Sequence, residues 1–326
     1  MIATMIRVQA VHPAANAAPQ RMRAGARRFH SGFSFMLLLL LVPLIPARAQ
    51  KPVPGADLVV ARPVIEMYRS ASANSDVVSQ ALYGTDVLSI EKQGGWYHIR
   101  TADGYAGWIQ ASDAQSLHGT PYAAEGQALR VTALSANVYR EPDVTKHAPL
   151  LRLPWESRLE TQLDTQAKPQ PADSGRWIQV RLVDGQTGWV QRGDVTASFA
   201  PLNIDDMLAL AHRFLGITYT WGGVSTFGFD CSGFTQMLER QRGIEMPRDA
   251  DLQAAWNGVI EVNRKDLKPG DLLFFGGSAE HITHTGMYIG NGEFIHDTTH
   301  DHPGVQISRL DDMPWTKLLV AARRIK

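Results

Sequence analysis

Only one residue of this 326-residue chain carries a thiol, Cys231. It stands in Asp230-Cys231-Ser232-Gly233-Phe234, with Met237 and Leu238 at helical spacing behind it and Gly243 as a stop. That pattern predicts a helix beginning at the cysteine. Free amides and the helix dipole at such a position favour the thiolate, which is the nucleophilic form. A lone cysteine is also often just a small buried hydrophobe. Nucleophilic chemistry would need a base from elsewhere in the chain, and His284 and His296 are the candidates.

Strand parity decides whether the two imidazoles can cooperate. Asp271-Leu272-Leu273-Phe274-Phe275 reads as a buried strand, and two further strands flank Gly290-Asn291-Gly292. Successive side chains on a strand alternate between faces. A two-residue Asn291-Gly292 turn would set His296 opposite Met287, an odd step from His284, with the rings on opposite faces. A three-residue Gly290-Asn291-Gly292 loop, or an equivalent bulge, sets His296 opposite Gly286 and both rings on one face. The second arrangement is predicted.

The elements that must carry these residues start near residue 199. Asn203 is a cap, Asp205 and Asp206 suit the positive end of a helix, and Ile204, Met207, Leu208, Ala211 and Leu215 recur at helical spacing before Gly216. Helices followed by strands give an α+β class for residues 199–326. Upstream, two segments repeat each other. Glu66-Met67-Tyr68-Arg69, Trp96-Tyr97-His98-Ile99-Arg100 and Asp103-Gly104-Tyr105-Ala106-Gly107-Trp108 return as Asn137-Val138-Tyr139-Arg140, Trp177-Ile178-Gln179-Val180-Arg181 and Asp184-Gly185-Gln186-Thr187-Gly188-Trp189. Short alternating runs broken by Asp-Gly turns predict two small β-barrels, over 50–115 and 125–198. Ten extra residues in the second copy fall in the polar stretch Gln166 to Gly175, which has loop composition.

Composition, 44% hydrophobic and 20% charged, is that of a globular chain. Arginines 21, 23, 27 and 28, the apolar run Phe35 to Ile45 and Ala47-Arg48-Ala49 read as a signal peptide over 1–49. Arg7 and Arg48 complete that segment's six basic residues, and it has no acid. Lys plus Arg and Asp plus Glu are 32 each in the whole chain, so the remainder carries about six net negative charges. Nothing in that balance points to nucleic acid. The apolar run is too short to span a bilayer as a helix, no later stretch is long enough, and no membrane span is expected in the mature chain. The chain is thus read as exported, periplasmic or extracellular after cleavage, with Met1 and Met22 both open as starts.

Four motifs in order carry a resemblance: Tyr219-x-Trp221-Gly222-Gly223, Asp230-Cys231-Ser232-Gly233-Phe234, His284-Thr285-Gly286-Met287-Tyr288-Ile289-Gly290 and Phe294-Ile295-His296. Together they resemble the NlpC/p60 family of papain-like cell-wall cysteine peptidases. The tandem repeats are similar to bacterial SH3-like domains, which extends the likeness over nearly all of the mature chain. The resemblance implies hydrolysis of γ-D-glutamyl to L-diamino-acid bonds in peptidoglycan stem peptides, without a cofactor. By the same resemblance Cys231 attacks the carbonyl, His284 takes and returns the proton, and His296 orients His284. The Cys231 N–H and the Tyr219 hydroxyl would hold the oxyanion. Asp230 and Ser232 would hold the free amine of an N-terminal L-Ala, although an aspartate at a helix start is equally expected as a cap. Tyr105, where the second barrel has Gln186, would line the cleft or stand as a surface turn residue. Pro247-Arg248-Asp249 is also similar to the family, near the substrate carboxylate.

Other readings compete. His281, His284, His296, His300 and His302 crowd one region and could bind zinc, though this leaves the cysteine motif unexplained. An inactive cell-wall-binding protein, or an amidase or acyltransferase on the same fold, would also fit parts of the pattern.

Overall fold

The computed structural model of the protein describes residues 53–124, 127–161 and 175–326. The segment 1–49, expected to be a signal peptide, and the stretch 166–174 lie outside the described residues. Strands β1 (Leu58–Val60), β2 (Val64–Tyr68), β3 (Val77–Leu82), β4 (Asp86–Gln93), β5 (Trp96–Arg100), β6 (Ala106–Gln110) and β7 (Ala114–Ser116) form one strongly curved sheet in the order β3-β2-β6-β5-β4-β1-β7. The same order recurs for β8 (Ala128–Val131), β9 (Ser135–Tyr139), β10 (Leu151–Pro154), β11 (Arg158–Thr161), β12 (Trp177–Arg181), β13 (Thr187–Gln191) and β14 (Val195–Thr196), as β10-β9-β13-β12-β11-β8-β14. The sequence repeat is therefore a repeat of topology.

The Asp-Gly hairpin explains why it recurs. Arg100 pairs Ala106 and Arg181 pairs Thr187, with Gly104 and Gly185 at φ +83° and +82°, a region that glycine enters at no steric cost. A Cβ on Gly107 would stand 3.0 Å from Met67 Cβ, and one on Gly188 would stand 2.6 Å from Val138 Cγ1. These glycines let β2 and β9 pack onto their hairpins. Every second residue then turns inward, burying Ile65, Met67, Ile99 and Ile109 in one barrel and Val138, Leu153, Val180 and Val190 in the other. Each such side chain contributes about 1.5–3 kcal/mol.

The remaining residues form a helical layer on one face of an antiparallel sheet. Helix α1 (Ile204–His212) is capped by Asn203, whose side chain accepts from the Asp206 N–H at 2.8 Å. It stops three residues earlier than the spacing predicts, and Ile204 and Leu215 are exposed while Met207, Leu208 and Ala211 are buried. A short hairpin, β15 (Val224–Ser225) and β16 (Gly228–Phe229), leads into α2 (Cys231–Gln241), followed by α3 (Ala250–Ala254). The sheet comprises β17 (Val259–Glu261), β18 (Leu272–Ser278), β19 (His281–Gly290), β20 (Glu293–Thr298), β21 (Gly304–Arg309) and β22 (Leu319–Ile325), the last preceded by α4 (Trp315–Leu318). Its order is β17-β22-β18-β19-β20-β21. Phe229, Phe234, Met237, Phe274, Met287 and Ile295 fill the space between α2 and the sheet. Phe275, Phe294 and Trp315 close the other face.

The hairpin that sets the histidines takes the second of the two expected forms, a bulge in place of a three-residue loop. The turn is the two-residue Asn291-Gly292, at φ +54° and +77°, with Gly290 paired to Glu293. A bulge at Ile289 then shifts the register by one, so Met287 faces Ile295 and His296 falls opposite Gly286. Both barrels are tied to this layer. Trp221 Nε1 donates to Val77 O at 3.0 Å, and the Trp155 N–H donates to Thr226 Oγ1 at 3.0 Å. Among the described residues no helix is long and apolar enough to cross a membrane.

Candidate active site

Asp230 starts α2 by accepting from the Gly233 N–H at 2.7 Å, so Cys231 is the first helical residue and its N–H has no intrahelical partner. The helix lies against β19 and β20. The sulfur reaches the backbone N–H of Thr285, the residue after His284, and that of Ser232. Cys231 is 8% exposed and lines a cleft of about 1060 Å³. The thiolate expected at the helix end is not the resting form. Burial, with Asp230 adding, pushes the thiol up to about 12 against the opposing Thr285 amide, Arg248 and Ser232 amide. The cap explains part of this, because its carboxylate puts negative charge where the helix end offers positive.

His284 and His296 share one face of the sheet, with His284 Nε2 2.7 Å from His296 Nδ1. His296 Nε2 in turn lies 3.0 Å from Ser308 Oγ. Trp315 covers the pair, its ring 5.3 Å from that of His284 and 4.8 Å from that of His296. Burial pulls His284 down to about 4, and it pulls His296 well below the usual range, helped by His284 and His300. Both rings are therefore neutral at neutral pH, and one must donate while the other accepts. With His284 Nδ1 free to accept a proton, His284 Nε2–H donates to His296 and His296 Nε2–H donates to Ser308. Ser308 was not singled out from the sequence. Its signal was parity, since it is the diagonal neighbour of His296 on β21.

The other expected residues divide. Tyr219 lines the cleft, and burial, followed by Cys231 and Asp230, raises its hydroxyl far enough to keep it a donor. Asp230 is saturated: besides the Gly233 amide it accepts from the Gly222 N–H at 2.9 Å, Ser232 Oγ at 3.3 Å, and both Arg248 Nη1 (3.0 Å) and Nη2 (2.6 Å). A carboxylate offers about four lone-pair sites, so none is left for a ligand amine. Ser232 is likewise occupied by Arg248 at 2.8 Å. Tyr105 reaches across from the first barrel, its hydroxyl 3.3 Å from each oxygen of Asp249.

Glu66, also from the first barrel, lines the same cleft and escaped the sequence reading. Its Oε1 accepts from Gln80 Nε2 at 3.1 Å, while Oε2 is buried without a partner and burial raises the carboxyl. A signal was present. The repeats align Glu66 with Asn137 and Tyr105 with Gln186, and both departures face the cleft. Acids outnumber bases on its walls: Glu66, Asp76, Asp230, Asp249 and Asp251 against Arg69 and Arg248.

Of the crowded histidines, His284 and His296 share a hydrogen bond. His300 packs on Trp315, and the carbonyls of His300 and His302 accept from Gln306. Among the described residues no three His, Cys, Asp or Glu side chains converge as a metal-binding group would require.

Asp297, next to His296, points to the opposite face and is fully buried with neither carboxylate oxygen hydrogen-bonded. Burial, with Asp230 adding, pushes it up to about 8, tempered by the nearby amides of Thr298 and Phe229. The ordinary value is 3.8, so between the two the fold holds a proton that the unfolded chain has lost. Stability therefore declines as pH rises through that window. Asp297→Asn is expected to exceed the wild type at pH 8 by at least ~1 kcal/mol in urea unfolding. An unchanged or lower midpoint would count against the buried acid.

Residues 216–324 match the NlpC/P60 family, and residues 67–113 match the bacterial dipeptidyl-peptidase SH3 domain. The gamma-D-glutamyl-L-lysine dipeptidyl-peptidase of Bacillus cereus is 32% identical over 266 residues, spanning 76% of this chain and 74% of that protein. The chain belongs to the NlpC/P60 family. With that membership comes its class, cysteine peptidase. The Bacillus subtilis protein of the same name is 29% identical over 263 residues, covering 76% of this NlpC/P60 chain and 81% of its own length. The crystal structure of an NlpC/P60 family protein from Bacillus cereus superposes with a TM-score of 0.69 at 24% identity, over 83% of this chain and 99% of that one, which establishes the shared fold.

Proposed function

We propose that this protein is an exported peptidoglycan hydrolase that cuts the γ-D-glutamyl to L-diamino-acid bond of stem peptides bearing a free N-terminal L-Ala. The observation that carries this reading is the Cys231 sulfur at the α2 terminus lying against the Thr285 amide, next in sequence to His284 on β19, in a cleft lined by acids of the first barrel. The names of the Bacillus relatives, which specify a γ-D-glutamyl-L-lysine bond and release of a dipeptide, support the bond and the product.

In this reading Cys231 attacks the γ-carbonyl as its proton passes to His284 Nδ1, and the sulfur-carbon bond forms as the carbonyl electrons move to oxygen. The resting thiol is neutral, so transfer and attack are coupled. The Cys231 N–H and the Tyr219 hydroxyl donate to the oxyanion. His284 returns the proton to the leaving amine, giving a thioester, and then activates the water that hydrolyses it. His296 holds the ring of His284 and fixes its tautomer. Since Asp230 and Ser232 are occupied, we assign the L-Ala ammonium to Glu66 and Asp249, with Tyr105 between barrel and cleft. Burial raises both carboxyls, against Arg248 and the Tyr105 hydroxyl at Asp249, whereas Glu66 Oε2 has no partner and is the acceptor an ammonium would satisfy.

Ser308→Ala removes the acceptor that selects the productive His296 tautomer. It is expected to lower kcat about tenfold with KM unchanged, the scale of one hydrogen bond. Steady-state kinetics showing the reverse split would reject the tautomer chain. The function itself is tested by mass spectrometry of products from L-Ala-γ-D-Glu-L-Lys and its diaminopimelate counterpart. Release of L-Ala-γ-D-Glu supports the reading; cleavage at another bond, or acyl transfer without hydrolysis, refutes it in favour of an amidase or acyltransferase.

A further inference from the structure

We infer that Arg248 is the counter-charge that allows a helix capped by a carboxylate to present Cys231 as a nucleophile, a positioning residue acting through Asp230. The inference rests on the peptidase reading only in naming Cys231 the nucleophile.

The α2 terminus has conflicting needs. Capping and turn closure require Asp230, which holds the Gly233 and Gly222 amides at 2.7 and 2.9 Å. The same carboxylate adjoins the sulfur and opposes its ionisation, in a setting dry enough for Coulomb terms to be strong. Arg248 answers this in geometry. It is 3% exposed and meets Asp230 in a two-pronged pair, Nη1 to Oδ1 at 3.0 Å and Nη2 to Oδ2 at 2.6 Å. Its remaining donors go to Ser232 Oγ at 2.8 Å, Gly223 O at 3.4 Å and, from Nε, Ser79 Oγ at 3.2 Å. Acceptors in several directions around one plane suit a guanidinium and not an ammonium. Ser79 belongs to β3, so the first barrel helps to aim the fork. The other titratable groups near this pair are Tyr105 of the first barrel, Tyr219 ahead of β15, His284 on β19, Asp249 beside Arg248, Asp297 on β20 and Arg240 on α2. Tyr219 and His284 are neutral at neutral pH, and the Arg240 guanidinium is taken up by Glu156, which leaves Arg248 as the cation paired with Asp230.

A buried ion pair can also be purely architectural, and thiol reactivity separates the two roles. Alkylation of Cys231 by iodoacetamide is followed on the full chain from pH 6 to 10, with circular dichroism as a check of folding. Arg248→Gln is expected to slow alkylation at pH 8 at least ~10-fold, and Asp230→Asn, which keeps a capping side chain, to speed it by a similar factor. The charge-matched double variant Asp230→Asn with Arg248→Gln should return to within ~3-fold of the wild type. A folded Arg248→Gln protein with wild-type reactivity overturns the inference, as does a double variant as slow as Arg248→Gln. If Arg248→Gln does not fold, Asp230→Asn decides alone, and no acceleration there overturns it. Cleavage of L-Ala-γ-D-Glu-L-Lys is measured in parallel. A wild type that alkylates as described but cuts nothing removes the peptidase reading and leaves the charge pairing standing.

Discussion

Cys231→Ala is expected to abolish release of L-Ala-γ-D-Glu, a loss of at least ~10⁴-fold in kcat, while leaving the affinity for the tripeptide close to that of the wild type. No other residue can take over the attack. The chain has no second cysteine, and the neighbouring Ser232 hydroxyl is tied to Arg248 and Asp230. His284→Ala leaves the thiol in place but removes its proton acceptor, and about 10² to 10⁴-fold of rate should go with it. Binding measured by calorimetry separates these losses from misfolding. Turnover by Cys231→Ala within tenfold of the wild type would eliminate the covalent route.

The second large effect lies on the substrate. Acetylating the L-Ala amine, or presenting the stem peptide still linked to glycan, should lower kcat/KM by at least ~10², because in the proposed assignment Glu66 and Asp249 would face the ligand without its ammonium. Glu66→Gln and Asp249→Asn should weaken the preference by slowing the free-amine peptide more than the acetylated one. The pH profile carries the same information. His284 is drawn down to about 4, so it stays a base as pH falls from 7 to 5. Glu66 is raised by burial from an ordinary value already above that of this imidazole, so it loses its charge first. The acid-side decline should therefore appear in KM before kcat. Equal rates on free and glycan-linked stems would refute the preference, and a kcat limb near 6.5 would refute the assignment of the buried imidazole.

Asp230 shows how far local reading reaches. Its side chain was open to two roles, helix cap or ligand for an amine, and both follow from the same local chemistry. Only the arrival of Arg248, 18 residues away in sequence, and of the Gly222 amide saturates the carboxylate, which favours the cap. Glu66 and Tyr105 come from a barrel more than a hundred residues upstream of Cys231, and their place in the cleft depends on docking contacts such as Trp221 to Val77.

Local pattern alone determined the helix that begins at Cys231, the barrels with their Asp-Gly hairpins, and the shared face of His284 and His296. Each follows from backbone periodicity over a few residues, which the side-chain order records directly. Tertiary packing decided the charge state of the thiol, the partners of Asp230, the Ser308 end of the histidine chain and the acid wall of the cleft. Burial and electrostatics depend on which distant groups exclude water around a site, and no spacing along the chain encodes that.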